Sequence, residues 1–350
     1  MLTSPSCRLV SGAFLSAVLS LTAAALPVNG QGDYEAAEPF IRATLRLSDR
    51  EMGNLEQGHA IAKTFPASLK REVNTAGAIR ITGSSTRFVE QYRSLDGFRR
   101  SSFVLQIAKF SEVPQLSDLD SLTVEPDDIK ALRTCRVGAC DVRLSGDDIR
   151  RVNTQVDWRA ADADAQAALL FKQILLDYLM AYRTGGVERL VHYEDDPKTM
   201  KLADEVSALL KQEPSPLDAA PALRSHLLTY PSGALPNTDH FFYWSKEAFG
   251  FRPVVGLNHV TVHTTDTGRV LIVTTQVYAS HYMDGQTAVT AILPENGGAN
   301  RFYWLYFNRA RIDRLEGLLG SISRPIVQRR ARSGLARTLT DTKTRLEAQR

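Results

Sequence analysis

The sequence predicts an α+β protein: an antiparallel curved sheet gripping a long C-terminal helix, with a large helical insertion. Three observations carry that expectation. Four β-rich runs, at 254–265, 269–281, 286–293 and 301–311, follow one another through the C-terminal third with short Asp-, Asn- and Gly-containing connections. Val327, Ala331, Leu335 and Leu339 then recur every four residues, with Leu346 further on, which is one apolar helical stripe that needs a sheet to lie on. Between Phe110 and Thr238 the apolar spacing is helical for about 120 residues.

In chain order, residues 1–30 come first. Residues 9–26 form an apolar and small-residue run, preceded by Arg8 and the free amine and followed by Ala23–Ala25, Pro27 and Gly30. That is the pattern of a cleaved signal peptide rather than an anchor, so the expected location is periplasmic or secreted. Cys7 precedes the apolar run, where a lipid-anchor cysteine would follow it. Removing this segment takes away Arg8 alone among charges and changes the net charge from +3 to +2, which exerts no general pull on nucleic acid.

Residues 31–58 read as an N-terminal helical segment, with Ser48 and Glu51 in a capping box. Residues 59–112 hold strands at 60–65 and 73–81, a short helix capped by Ser85 with Phe88, Val89 and Tyr92 on one face, and a strand at 103–110. The insertion, 113–236, contains a helix opened by Glu125 and Pro126, another opened by Ser145, and a long one at 160–183. Phe171, Ile174, Leu175, Tyr178 and Tyr182 make an apolar stripe on the last, which Gly185 and Gly186 end. A further helix is expected at 200–210, before a proline-rich connection. Residues 237–350 hold the meander, with turns at Asp266–Gly268, Asp284–Gly285 and Asn296–Gly298, and a terminal helix with Pro325 in its first turn.

Cys135 and Cys140 are the two cysteines left after signal removal, and in an oxidising compartment they are expected to close a small disulfide loop. Four residues intervene, and no histidine is nearby, so neither a CxxC redox motif nor a zinc shell fits. So small a loop places the stabilisation at the low end of about 2–4 kcal/mol.

The order strand, short helix, strand, meander and closing helix is that of the helix-grip fold. The chain resembles the START-like (SRPBCC) superfamily through VNTAGAIRITGSSTRFVEQY, VYASHYMDGQTAVTAI, RFYWLYFNRARID and IVQRRARSGLARTLTDTKTRLE. With TCRVGACDVRL and FFYWSKEAFG included, it also resembles a group of exported bacterial proteins. The resemblance covers about half of the mature chain, and the insertion departs from it. It implies a binder or carrier of an apolar small molecule or lipid, held between sheet and terminal helix, with no cofactor.

Aromatic residues supply the candidate lining: Tyr278, Tyr282, Tyr303, Trp304 and Tyr306. Phe302, Tyr303, Trp304, Tyr306 and Phe307 make both faces of their strand apolar, so both faces need a cover. Among the histidines, His259 and His263 sit in a β-branched run, where their spacing separates the α-carbons by about 13 Å at roughly 3.3 Å per residue, too far to share a metal. His281, near Asp284 and flanked by tyrosines, is the acid/base candidate of an alternative enzyme reading. A third reading is a structural or interaction protein with a filled core. Eight basic residues from Arg324 to Arg350 face Asp341 and Glu347, which suits either a solvated face or transient contact with an anionic membrane surface.

Overall fold

β-Branched and aromatic residues set the strands: β1 (Ile61–Phe65), β2 (Glu72–Thr82), β3 (Val104–Lys109), β4 (His192–Tyr193), β5 (Met200–Lys201), β6 (Thr238–Glu247), β7 (Val254–Thr264), β8 (Val270–Ala279), β9 (Met283–Pro294) and β10 (Arg301–Ile312). The helices are α1 (Ala37–Leu45), α2 (Asp49–Glu56), α3 (Ser85–Arg93), α4 (Pro126–Thr134), α5 (Gly146–Gln155), α6 (Ala163–Gly185), α7 (Leu202–Lys211), α8 (Pro221–Thr229) and α9 (Gly317–Glu347). The structure is a computed structural model and describes residues 37–95, 103–248, 252–295 and 300–348, without the side chains of 317–322. The expected signal peptide at 1–30 and the Asn296–Gly298 turn lie outside the described residues.

Eight strands form one sheet in the order β1–β2–β10–β9–β8–β7–β6–β3, and every neighbouring pair is antiparallel. The first long strand therefore lies beside the last, with Phe302 opposite Ile81 and Tyr306 opposite Gly77. Because side chains alternate, the sheet has two faces with separate cores. On the grip face, Ile79, Ile81, Val260, Val262, Ile272, Ile292, Phe302 and Trp304 pack with Phe88 and Val89 of α3 and with Leu335, Leu339 and Leu346 of α9. On the insertion face, Phe242, Trp244, Leu257, Val273, Ala291 and Leu305 pack with Phe171, Ile174, Leu175, Leu179 and Tyr182 of α6, and with α1, α2, α7 and α8. The protein is thus α+β, with a C-terminal helix on one face of an antiparallel sheet and the helical insertion on the other.

Gly77 seats the terminal helix. A Cβ there would stand 2.5 Å from the Ile61 carbonyl and 2.9 Å from Leu339. At the end of α6 the chain turns through Gly186, with φ +64, where a Cβ would stand 1.6 Å from the Tyr230 carbonyl. Cys135 and Cys140 form a disulfide with a Cα separation of 4.5 Å, a bond that belongs to an oxidising compartment.

Several local expectations are corrected. Ser84, not Ser85, caps α3, its hydroxyl accepting from the Arg87 N–H at 3.2 Å, because an N-cap oxygen reaches the amide three residues on. Asp284 and Gly285 lie within β9, and the chain reverses one step earlier at Ser280–Tyr282, where Tyr282 takes φ +57. Residues 200–201 pair with 192–193 before α7 begins. Pro325 lies inside α9, which starts at Gly317; a helix can carry an internal proline when packing offsets the lost hydrogen bond. The proline-rich connection contains α8, whose Pro221 stands at the first helical position.

Candidate functional site

The grip face changes character along its strands. Near β2 it is apolar and aromatic, where the Phe88 ring meets Trp304 at a tilt, 5.0 Å between centres, and Phe302 edge-on at 5.7 Å. Toward one end of β8, β7 and β6 it is lined by hydroxyls, amides and a carboxyl: Thr290 of β9, Thr274, Gln276, Asn258, Tyr243, Ser245 and Glu247 share this face by register. The Tyr92 hydroxyl, on α3, lies 3.0 Å from the Thr274 hydroxyl. Ser245 donates to the Glu247 carboxyl at 2.7 Å, and the Asn258 amide donates to Ser245 at 3.5 Å.

Burial dominates the electrostatics of this end. It raises the phenols of Tyr92, Tyr243 and Tyr306, and for Tyr243 the charge of Glu247 adds to it. Burial also raises Glu247, only partly opposed by the Ser245 hydroxyl, so this carboxyl is held toward its neutral form. Three buried polar atoms on this face, Gln276 Oε1, Thr290 Oγ1 and Trp304 Nε1, have no hydrogen-bond partner among the described residues. Register sets Trp304 level with Ile292 and Val270 and puts Gln276 six residues further along β8, so the open donor and the open acceptor would each need a polar partner of its own.

The expected aromatic lining divides between faces. Trp304 and Tyr306 lie on the grip face, Tyr278 and Tyr303 on the insertion face, and Tyr282 at the β8–β9 turn beneath the Arg314 guanidinium at 5.1 Å. Tyr278 is fully buried and donates to the Arg143 carbonyl at 2.9 Å. Tyr303, near Glu295, is pushed up to about 12 by burial and that charge. Five aromatic residues close in sequence therefore do not make one pocket, because adjacent strand positions point to opposite faces.

His281 does not meet Asp284. Its Nε2 lies 3.0 Å from Asp128 Oδ1 of α4, with both side chains 2% exposed and Arg252 3.6 Å from the same carboxylate. Asp284 instead pairs with Arg143 at 2.7 Å and with Arg71, which also holds Glu205 at 2.6 Å. His281 lines neither of the two pockets that flank the insertion, one beside α8 and one of about 230 Å³ bounded by Pro126, Ile129, Lys130, Arg133 and Asp164.

The insertion face holds a second cluster. His259 Nδ1 is 2.8 Å from the Tyr182 hydroxyl, His259 Nε2 is 2.9 Å from His240 Nδ1, and His240 Nε2 is 3.1 Å from His226 Nε2. Register explains half of it: Phe242 pairs with His259 and His240 with Thr261, so the two histidines are diagonal neighbours on β6 and β7. His226, Tyr230 and His240 also line an open pocket of about 340 Å³ with Pro231, Leu235 and Thr238. Burial lowers His226, brings His240 to about 4 with help from His226, and lowers His259 well below the usual range. His263 lies apart, 2.9 Å from the Thr238 hydroxyl. Among the described residues no group of three His, Cys, Asp or Glu side chains is arranged to hold a metal ion.

No family model matches this sequence, and no curated protein matches it. The functional geometry therefore rests on the molecule itself. Sequence reasoning had no access to His226, His240, Gln276, Asn258, Glu247 or Asp128, since each acquires its partner across elements; the alternation in HFFYW beside HVTVH was the one local sign of the histidine pair.

Proposed function

We propose that this chain is an exported carrier for a small, largely apolar molecule with a hydrogen-bonding end, held between the sheet, α3 and α9. One observation carries the reading: Gln276 Oε1 and Trp304 Nε1 are buried without partners on a face that runs from aromatic to hydroxyl and amide lining. The strand order, with the first long strand beside the last and a closing helix across them, supports the START-like resemblance on which the carrier reading draws. A ligand's apolar part would lie along Phe88, Ile292 and Trp304, and its polar end would reach Gln276 and the neighbouring hydroxyls. The disulfide fits export to the periplasm or beyond. Arg329, Arg330, Arg332 and Arg337 on the exposed side of α9 offer a docking face for an anionic membrane during exchange.

The test is native mass spectrometry of the protein purified from its own envelope, followed by organic extraction. The expected result is one bound apolar molecule per chain, with occupancy falling about tenfold in Gln276→Leu, the equivalent of one lost hydrogen bond to a buried acceptor, and release to anionic vesicles that salt suppresses. Protein free of any ligand, with Gln276→Leu as stable as wild type or more so, would replace the carrier with the filled-core reading.

A further inference from the structure

The histidine chain joins three parts of the molecule that are far apart in sequence: α8 through His226, the sheet through His240 and His259, and α6 through Tyr182. Its proton arrangement can be worked out. A backbone hydrogen bond to Gly233 favours the protonated ring of His226, whose Nε2 faces His240. In a neutral chain whose donors run toward His226, His226 Nε2 accepts from His240 Nε2–H. His240 Nδ1 in turn accepts from His259 Nε2–H, and His259 Nδ1 accepts from the Tyr182 hydroxyl. Three rings, the Tyr182 hydroxyl and four protons satisfy these three contacts, and the Thr261 hydroxyl is a further partner 3.2 Å from His240 Nδ1 and 3.4 Å from His259 Nε2.

One further proton can be accommodated by reversing the donors between the charge and Tyr182, whose hydroxyl can accept instead of donate. A second cannot, because it would set N–H against N–H between adjacent rings and place two imidazolium charges about 5 Å apart by ring centres. Once separated and in water, the same three rings take three protons. Acid must therefore favour the separated state.

We propose that the His226–His240–His259 chain is an acid-sensitive joint, which holds the end of α8 and the 230–237 segment against the sheet at neutral pH and releases them in acid. The segment is suited to moving: Pro231, Ser232, Gly233 and Ala234 are exposed and one side of it already forms the open pocket. Leu223 keeps the first turn of α8 in the core, so the release is confined to its last turn, which carries His226 and Leu227, and the connection. The other ionisable groups facing the joint are few. Tyr230 packs 4.5 Å from His259, Arg183 acts on Tyr230, Asp239 favours protonated His240 weakly while it pairs with Arg93, and Asp266 acts on His263. No carboxylate hydrogen-bonds to any of the three rings among the described residues, so none offsets the added charge from within the joint.

The sign follows from linkage: rings depressed in the closed state and ordinary in the open one stabilise closure above about pH 6.5, and that stabilisation is lost as pH falls toward 4. From His240 alone, with values of 6.5 open and about 4 closed, the opening equilibrium rises about 20-fold between pH 7 and pH 5. The experiment is amide hydrogen exchange of the full chain at the two pH values, corrected for intrinsic rates, in wild type and His240→Gln, which keeps a donor and an acceptor but does not titrate. Wild type should show opening about 20-fold or more greater at pH 5, confined to residues 226–240, and the variant much less. Equal protection of wild type at both pH values would overturn the joint, as would exposure spread over the whole sheet or an equal response in the variant. Should His240→Gln fail to fold, NMR titration of the wild-type rings decides: depressed midpoints that coincide with exposure of 226–240 support the joint, and ordinary midpoints with the segment still protected overturn it.

Discussion

Single residues in this protein are decided by what they meet across the fold. Asp128 is a clear case: an exposed-looking acid in the first turn of α4 is buried against His281 at 3.0 Å, with Arg252 further off at 3.6 Å. Removing one member of such a hydrogen-bonded pair leaves the other desolvated and under-partnered, so His281→Ala should lose about 1–3 kcal/mol in urea unfolding. Ligand occupancy in the carrier assay should be unchanged, since the pair lies on the insertion side. A stability loss below about 1 kcal/mol, the range of exposed ion pairs, would show that the carboxylate is solvated in solution. His281 was legible as a histidine beside a turn, but its acid was not, because residue 128 lies 153 positions away.

At the level of elements, the terminal helix depends on one missing side chain. Gly77 lies under Leu335 and Leu339, and a Cβ would meet the Ile61 carbonyl and Leu339 at distances no packed methyl tolerates. Gly77→Ala should therefore cost about 1–3 kcal/mol as an overpacked core position, measured as a lower urea midpoint at unchanged slope. Near-UV circular dichroism of Trp304, which shares the grip face, should change with it. A variant as stable as wild type would mean that α9 does not lie on β2 as described. The apolar repeat of α9 was readable at Leu335, Leu339 and Leu346, which are buried, whereas the start of the helix was not. A proline marks a first turn only if nothing upstream continues the helix, and here the helix runs on upstream to Gly317.

Across the whole molecule, the insertion and the sheet share one core. Phe242, Trp244, Leu257, Val273 and Leu305 are all buried beneath insertion helices, and the described residues from Ala37 onward form one compact unit. Replacing 113–236 by a short linker should then expose that face and yield aggregated protein in size-exclusion chromatography, with urea unfolding of the intact chain a single transition. A soluble monomer with native sheet content, or two separated transitions, would show that the insertion is an independent domain. Such a result would also remove the histidine joint from the sheet's energetics, since His226 and Tyr182 would then bind β6 and β7 from outside the core.

The sequence by itself determined the elements whose cause is local: the meander from alternating apolar runs and short turns, the long insertion helix from its stripe and terminal glycines, the capping box at Ser48, and the disulfide from two cysteines five positions apart. It also required covers on both faces of β10, since neither set of alternating side chains was polar. The tertiary structure alone decided which residues face one another. Strand order put β2 beside β10, register made His240 and His259 diagonal neighbours, and the insertion's path brought His226, Tyr182 and Asp128 to partners far along the chain. The physical reason is that hydrophobic periodicity is a local property of the chain, whereas a hydrogen bond between side chains on different elements depends on register and packing that no local pattern encodes.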